Sequence, residues 1–212
     1  MHPSQMKQLG NFYRILLNLW LNDDFVPRFE QNVSQLTPLF QEIMVFQSDQ
    51  QLRSTAEFRT KVMRLFQILR GLFKGAITHK NFSVLFDWFY PEYFSIIKKC
   101  LGTYIAPPCD DEVVILILNF VKELVDNSSN RLRFDTWSIN GLIVYKEGAT
   151  LLIQFYELYD CLDPKKKPLR NGDQYKEQLK FLKVGLNFLE RCVTGNYINF
   201  AICEYYNDNT FT

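Results

Sequence analysis

Apolar residues return every three or four positions along most of this chain, the spacing of one helical face. From Met6 to Leu21 that face is Leu9, Phe12, Tyr13, Leu16, Leu17, Trp20 and Leu21, and Asn22-Asp23-Asp24 stops it. Pro27 suits the first turn of a second helix, which carries Phe29, Val33, Leu36, Phe40, Ile43, Met44 and Phe46. Pro38 is expected to kink or split it, with Thr37 serving as a fresh N-cap. A third stripe from Phe58 to Phe73 predicts a helix over about Thr55 to Lys74, its end weakened by Gly71 and Gly75. "NFSVLFDWFYPEYFSIIKKCLGTYI" then reads as a short helix, a break at Tyr90 before Pro91, and a second helix closed by Pro107-Pro108.

The run "VVILIL", beginning at Val113, resembles a buried strand when taken alone. Phe120, Val121, Leu124 and Val125 carry the pattern past strand length, and no second strand of similar quality is present. A helix apolar on most sides and held between neighbours fits better, capped by Asp110 with Asp111 and Glu112 in its first turn. Two more helices are expected, over about Ile139 to Cys161 and from an Asp173 cap to Val193, separated by the loop "DPKKKPLRNGD". Gly195-Asn196 reads as a C-cap before a last segment, Tyr197 to Tyr206.

The sum is roughly eight helices paired at a period of about 40–50 residues. The predicted fold is therefore all-α, an α-α superhelix of HEAT or armadillo type with roughly four helix pairs. Residues 1–212 form a single such unit. A closed bundle of the same helices is the alternative; the regular period and the apolar central helix favour the superhelix. A terminal repeat is polar on its outer side, whereas the first helix has a broad aromatic face. The chain also stops at "NDNTFT", after one short helix of what should be a pair. Both features predict a fragment of a longer array.

Composition sharpens this picture. Aromatics are 16% of the chain, and 9 Gly with 8 Pro are too few for a sandwich or barrel, which needs a turn signal every ten residues or so. A net charge of +1 gives no overall nucleic-acid or membrane footprint. Cys100, Cys109, Cys161, Cys192 and Cys203 are scattered without a C-x-x-C pair, which reads as reduced thiols in a cytosolic or nuclear protein. "MHPSQMKQLG" lacks a secretory apolar core, and Val113 to Val125 is too short and too interrupted to span a bilayer. The expectation is a soluble intracellular protein, in which the sequons at Asn32, Asn81 and Asn127 carry no weight.

Candidate chemistry is sparse. His2, at the terminus, and His79, read as part of a loop, are the only histidines, and neither stands at ligand spacing from a second His or a Cys. Phosphate-loop, dinucleotide, nucleophile-elbow and zinc-protease motifs are all missing, so neither an enzyme nor a cofactor is expected. Asp23-Asp24 and Asp110-Asp111 flank helix starts, where capping outweighs acid–base work. "PKKKPLR", from Pro164, reads as a solvated loop rather than a nucleic-acid contact, since no aromatic is interleaved to stack bases. Lys98-Lys99, and Arg191 with Lys183, either line a surface for an acidic partner or are solvated helix faces. The dense aromatics Phe86, Trp88, Phe89, Tyr90, Tyr93 and Phe94 read first as core; any left exposed would make shallow pockets for a partner's Phe or Leu.

The stretch "NRLRFDTWSINGLIVYKEG", from Asn130, is a long connector inside one helix pair. Leu132 and Phe134 alternate with Arg131, Arg133 and Asp135, a short extended pattern that lays apolar side chains on the superhelix edge. Ser138 or Asn140 is expected to cap the following helix, and Arg131 or Arg133 to pair with Asp135 or Glu147. The connector is a structural hook first and a binding loop second. On the second reading the protein-binding candidates are Arg131, Arg133, Asp135 and Trp137, joined by Lys98 and Lys99.

"FDWFYPEYFSIIKKC", "VKELVDNSSNRLRFDTWSINGLIVYKEG" and "GNYINFAICEYYND" resemble successive landmarks of the exportin-7 and Ran-binding-protein-16 group of importin-β-like (karyopherin-β) nuclear transport receptors. The most specific part falls on Asn127, Arg131, Leu132, Phe134, Asp135, Ser138, Asn140 and Gly141. The resemblance implies an internal to C-terminal portion of a large HEAT-repeat receptor. Such a receptor shuttles between nucleus and cytoplasm, binding Ran-GTP, protein cargo and Phe-Gly nucleoporins, and performs no bond chemistry. The resemblance also implies that the main Ran surface lies in N-terminal repeats outside this chain, so the chain alone is expected to bind Ran weakly or not at all. A HEAT-repeat scaffold for a non-transport complex is the alternative.

Overall fold

The computed structural model describes residues 3–21, 26–45, 56–106, 109–134, 138–159 and 172–195. The described helices are α1 (Pro3–Leu21), α2 (Val26–Val33), α3 (Thr37–Met44), α4 (Ala56–Gly75), α5 (His79–Tyr93), α6 (Ser95–Ile105), α7 (Asp111–Leu124), α8 (Asn140–Tyr159) and α9 (Gly172–Thr194). A 3-10 turn, Ser34–Leu36, links α2 to α3. No β-strand occurs among the described residues. Phe46, Pro107-Pro108, "PKKKPLR" and the segment from Tyr197 to Tyr206 lie outside them.

Two rows of helices form the architecture. In one row α1, α4, α7 and α9 pack side by side in chain order; in the other α3, α6 and α8 do the same. Each member of one row leans on the other row, as in α3 on α4 and α6 on α7. This is the all-α superhelix that the periodicity predicts. The helix opened by "VVILIL" sits between neighbours as expected: α7 touches α4, α6, α8 and α9. It therefore buries Val113, Val114, Ile117, Leu118, Phe120, Val121 and Leu124, which lie on more than one face. Asp110 caps it, its carboxylate accepting the Val113 N–H at 3.3 Å.

Aromatic rings of α5 bridge the two rows. Phe73 of α4 packs edge-on against Phe82 and Phe89 of α5 and Phe120 of α7, at centroid distances of 5.7, 5.4 and 5.6 Å. Phe40 of α3 lies 4.2 Å from Tyr93 and 5.6 Å from Trp88. Each buried ring contributes about 1.5–3 kcal/mol through lost water contact, and more where the edge-to-face geometry is met. The dense aromatics around Pro91 are thus mostly core.

Three local expectations are corrected. The helix does not break at Tyr90: α5 runs through Pro91 to Tyr93, and the chain turns at Phe94. Pro91 removes one backbone donor, but Phe89 and Tyr93 on either side of it are buried and hold the turn helical. Thr37 is not an N-cap, because the 3-10 turn keeps the backbone helical up to it. Its hydroxyl instead lies 3.4 Å from the Tyr93 hydroxyl. His79 is the first residue of α5 rather than part of a loop.

Gly71 and Gly75 do more than weaken the end of α4. One turn apart, they bring the backbone of α1 against α4: a Cβ at Gly75 would lie 2.7 Å from the Arg14 carbonyl oxygen, and one at Gly71 would collide with the carbonyl of Gly10. The lost helix propensity, about 1 kcal/mol per glycine, is exchanged for a close crossing that no larger residue permits.

Candidate interaction surface

The connector between α7 and α8 holds most of the sequence-derived candidates, and its structure explains their spacing. Asn130 takes a left-handed backbone, φ 55, which asparagine tolerates better than most residues. Its N–H donates to the Asn127 carbonyl at 2.9 Å, closing a tight turn. The turn carries Arg131 back under the ends of α4 and α7, where it is only 3% exposed. Its Nε donates to the Asp126 carbonyl at 2.7 Å, and its Nη1 to the carbonyls of Phe73 and, at 3.3 Å, Ala76. Nη2 donates to the Glu123 carbonyl and stands 3.8 Å from that residue's carboxylate. The guanidinium carbon lies 5.1 Å from the centre of the Phe82 ring. Carbonyls at a helix C-terminus have no partner within their own helix, so one planar fork satisfies two helix ends together.

Asparagines complete the network. Asn127 is buried; its Oδ1 accepts the Leu132 N–H at 2.8 Å and its Nδ2 donates to the Gly195 carbonyl at 3.0 Å. Asn140 accepts the Arg133 N–H at 2.9 Å and donates to Ser83 Oγ at 3.2 Å. The Gly141 N–H in turn donates to the Arg133 carbonyl at 2.9 Å, and a Cβ at Gly141 would strike the Phe134 ring. Ser138 Oγ lies 3.5 Å from the Asn140 N–H, but the Ile143 N–H donates to the Ile139 carbonyl at 3.1 Å, so Ile139 and not Ser138 or Asn140 stands at the N-cap position of α8. The connector is thereby tied to α4, α5, α7, α8 and the end of α9.

The nominated residues divide accordingly. Arg131 faces the interior, whereas the Arg133 side chain is exposed. Asp135 and Trp137 lie outside the described residues. Lys98 and Lys99 staple α6 in opposite directions: Lys98 Nζ pairs with Glu147 of α8 at 3.1 Å, and Lys99 Nζ donates to the Met44 carbonyl at the end of α3, at 2.8 Å. Glu147 is therefore occupied by Lys98, with the Tyr90 hydroxyl at 3.4 Å, and not by either connector arginine as the sequence suggested.

Charged groups elsewhere brace the same row. Arg191 of α9 bonds Asp126 at 2.8 Å. Burial pushes the Asp126 carboxyl up, but bonds from Ser128 and the charges of Arg191 and Arg131 outweigh this and leave its pKa below the ordinary value. Asp110 behaves alike: burial raises it, while Arg59 and the Val113 and Glu112 amides lower it further. Arg59 clasps Asp110 at 2.6 and 3.1 Å and Glu112 at 2.6 Å, joining the starts of α4 and α7. Neither of these carried any sequence signal beyond charge, since their partners lie more than one helix away.

Two buried cysteines are poorly placed for nucleophilic chemistry. Burial pushes the Cys100 thiol up to about 12 and the Cys192 thiol up to about 11, which suppresses the thiolate a nucleophile needs. His79 Nδ1 donates to the Arg131 carbonyl at 3.2 Å. No group of His, Cys, Asp or Glu side chains among those residues is placed to hold a metal ion, and no helix there is long and apolar enough to cross a membrane.

Comparison with known proteins bears on the pattern as a whole. No family model matches the chain, and no solved structure matches it. Curated relatives do. Exportin-7 of Dictyostelium discoideum is 26% identical over 99% of this chain, and Exportin-7-B of Xenopus laevis 28% over 97%. Ran-binding protein 16 of Drosophila melanogaster is 24% identical over 98%. The chain resembles the exportin-7 and Ran-binding-protein-16 group over nearly its whole length. It spans 20%, 18% and 18% of those three relatives' own lengths, about a fifth. Of the residues through which the resemblance is most specific, Asn127, Arg131, Leu132, Asn140 and Gly141 are buried in the connector network, Phe134 and Ser138 are half-buried, and Asp135 lies outside the described residues. Five of the eight thus hold the connector to the neighbouring helices.

Proposed function

We propose that this chain is part of a nuclear export receptor, a superhelix that binds protein cargo together with Ran-GTP and carries it through the nuclear pore. The observation that carries the reading is the similarity to exportin-7 and to Ran-binding proteins over nearly the whole chain, combined with a two-row helical array. The receptor shuttles between nucleus and cytoplasm and touches Phe-Gly nucleoporins in transit. It acts by recognition alone, without nucleic acid, membrane insertion or catalysis.

In this role the chain transmits shape. Cargo and Ran-GTP favour one curvature of a continuous superhelix, so each tightens the other's binding by the same factor. Exposed apolar stripes on α1 (Phe12, Ile15, Leu19) and α9 (Leu182, Leu186, Leu189) suit the packing of further helices on either side. The exposed Arg133, with Asp135 and Trp137 next to it in sequence, is the contact proposed for a partner, and the buried Arg131 anchors Arg133's end of the connector. The test is cargo capture by the receptor containing this chain with Ran loaded with GTP, followed by triggered hydrolysis of that GTP on Ran. Cargo should elute as GTP is hydrolysed. Cargo retained equally with Ran-GDP would leave the scaffold reading in its place.

A further inference from the structure

Across the α1, α4 and α7 layer, away from the connector, runs an open groove of about 460 Å³. Its walls carry Lys7 and Arg14 from α1 and Arg70 and Lys74 from α4; Met63, Ile115 and Leu116 supply an apolar floor. Glu112 is the one carboxylate among the residues that line it, and Arg59 already holds it at 2.6 Å. Among the described residues Lys7, Arg14 and Lys74 have no ion-pair partner.

Arg70 is the informative member. Its Nε is buried without any acceptor, and its Nη1 has only a long contact, 3.5 Å, to Gln67. Burial weakens its hold on the proton, which Glu123 offsets only in part. A cation desolvated without a matching acceptor is costly in the free protein and is relieved when a carboxylate arrives. Positive charge continues past the groove: half-buried Lys122 is disfavoured as a cation by burial and then by Arg70 and Arg191.

We propose that this groove docks an acidic segment of a protein partner, with carboxylates meeting Lys7, Arg14, Arg70 and Lys74 and aliphatic side chains resting on Met63, Ile115 and Leu116. A nucleic acid fits less well, because no aromatic ring lines the groove to stack a base and the floor is methionine and branched aliphatic carbon. The inference stands apart from the transport reading and does not need Ran.

The test is fluorescence anisotropy of the 212-residue chain with a labelled peptide alternating Glu and Leu. Three probes run in parallel: a Gln-Leu peptide, a Lys-Leu peptide and a single-stranded DNA oligonucleotide. The Glu-Leu peptide should bind alone, more weakly as salt rises. Arg14→Glu with Lys74→Glu, both at exposed positions, should weaken it by about tenfold or more. Arg70→Met, which keeps the packed stem, should weaken it without lowering the melting temperature. Equal binding of the Gln-Leu peptide or of DNA, no binding of the Glu-Leu peptide, or an unchanged affinity in the double variant would each overturn the proposal.

Discussion

Replacing Arg131 by methionine removes the guanidinium while keeping most of the stem. Four carbonyls, those of Phe73, Ala76, Glu123 and Asp126, then lose their donor. The Phe73 carbonyl has no helical substitute, because the Ile77 N–H that would reach it donates to Gly75 instead, at 2.9 Å. A buried acceptor left unmatched costs about 1–3 kcal/mol, and removing one member of a buried charged set about 3–5 kcal/mol. Against this, methionine avoids the cost of burying a charge, and the Asp126 and Glu123 carbonyls are only partly buried and can rehydrate. A net loss of about 3–4 kcal/mol follows, equivalent to roughly 6–16 °C in a domain of this size. Lysine at the same place keeps the charge but not the fork, and should recover less than half of that loss. Thermal and urea melts followed by circular dichroism measure both, with Arg133→Ala as an exposed comparison expected within about 0.5 kcal/mol of the parent. An Arg131→Met protein that melts within 2 °C, or about 1 kcal/mol, of the parent would refute the clamp.

Gly71→Ala should destabilise by about 1–3 kcal/mol despite alanine's better helix propensity, because the new methyl meets the Gly10 backbone; hydrogen exchange should show α1 opening first. Asp110 and Asp126 have folded pKa values below their unfolded values, so their stabilisation is complete above about pH 4 and is lost as pH falls through the depressed folded values. Acid titration of Asp110→Asn should therefore show a lower plateau near neutrality and a shallower acid limb than the parent; an identical limb would contradict the assignment. Cys100, held protonated by burial, should resist a thiol reagent at pH 8 in the folded chain and react fully in denaturant, as read by absorbance of the released chromophore.

How much of this was legible beforehand follows the range of the forces involved. The helices and the burial of α7 depend on periodicity within one segment, and the sequence displays that directly. The connector was readable as a hook, since Leu132, Phe134 and the two arginines alternate, but the partners of Arg131 were not. They are backbone carbonyls at helix ends, which carry no side-chain signature. Gly71 and Gly75 read as weak helix because their value lies in the approach of α1, some sixty residues away in sequence. Pro91 misled in the other direction, since rings on both sides of it outweigh one missing donor. Lys98 and Lys99 looked like a basic patch because nothing in their neighbourhood names Glu147 or Met44 as partners. The basic groove was invisible for the same reason, assembled from three helices that only the packing brings together.

We propose that this superhelix belongs to a receptor that reads the nucleotide state of Ran. Equilibrium titration of the receptor containing this chain with Ran locked in its GTP and GDP forms, by surface-attached biosensor with and without bound cargo, tests it most directly. The account predicts binding of the GTP form that is tighter by at least about tenfold and that strengthens further when cargo is present. Equal affinity for both forms, unaltered by cargo, would contradict it.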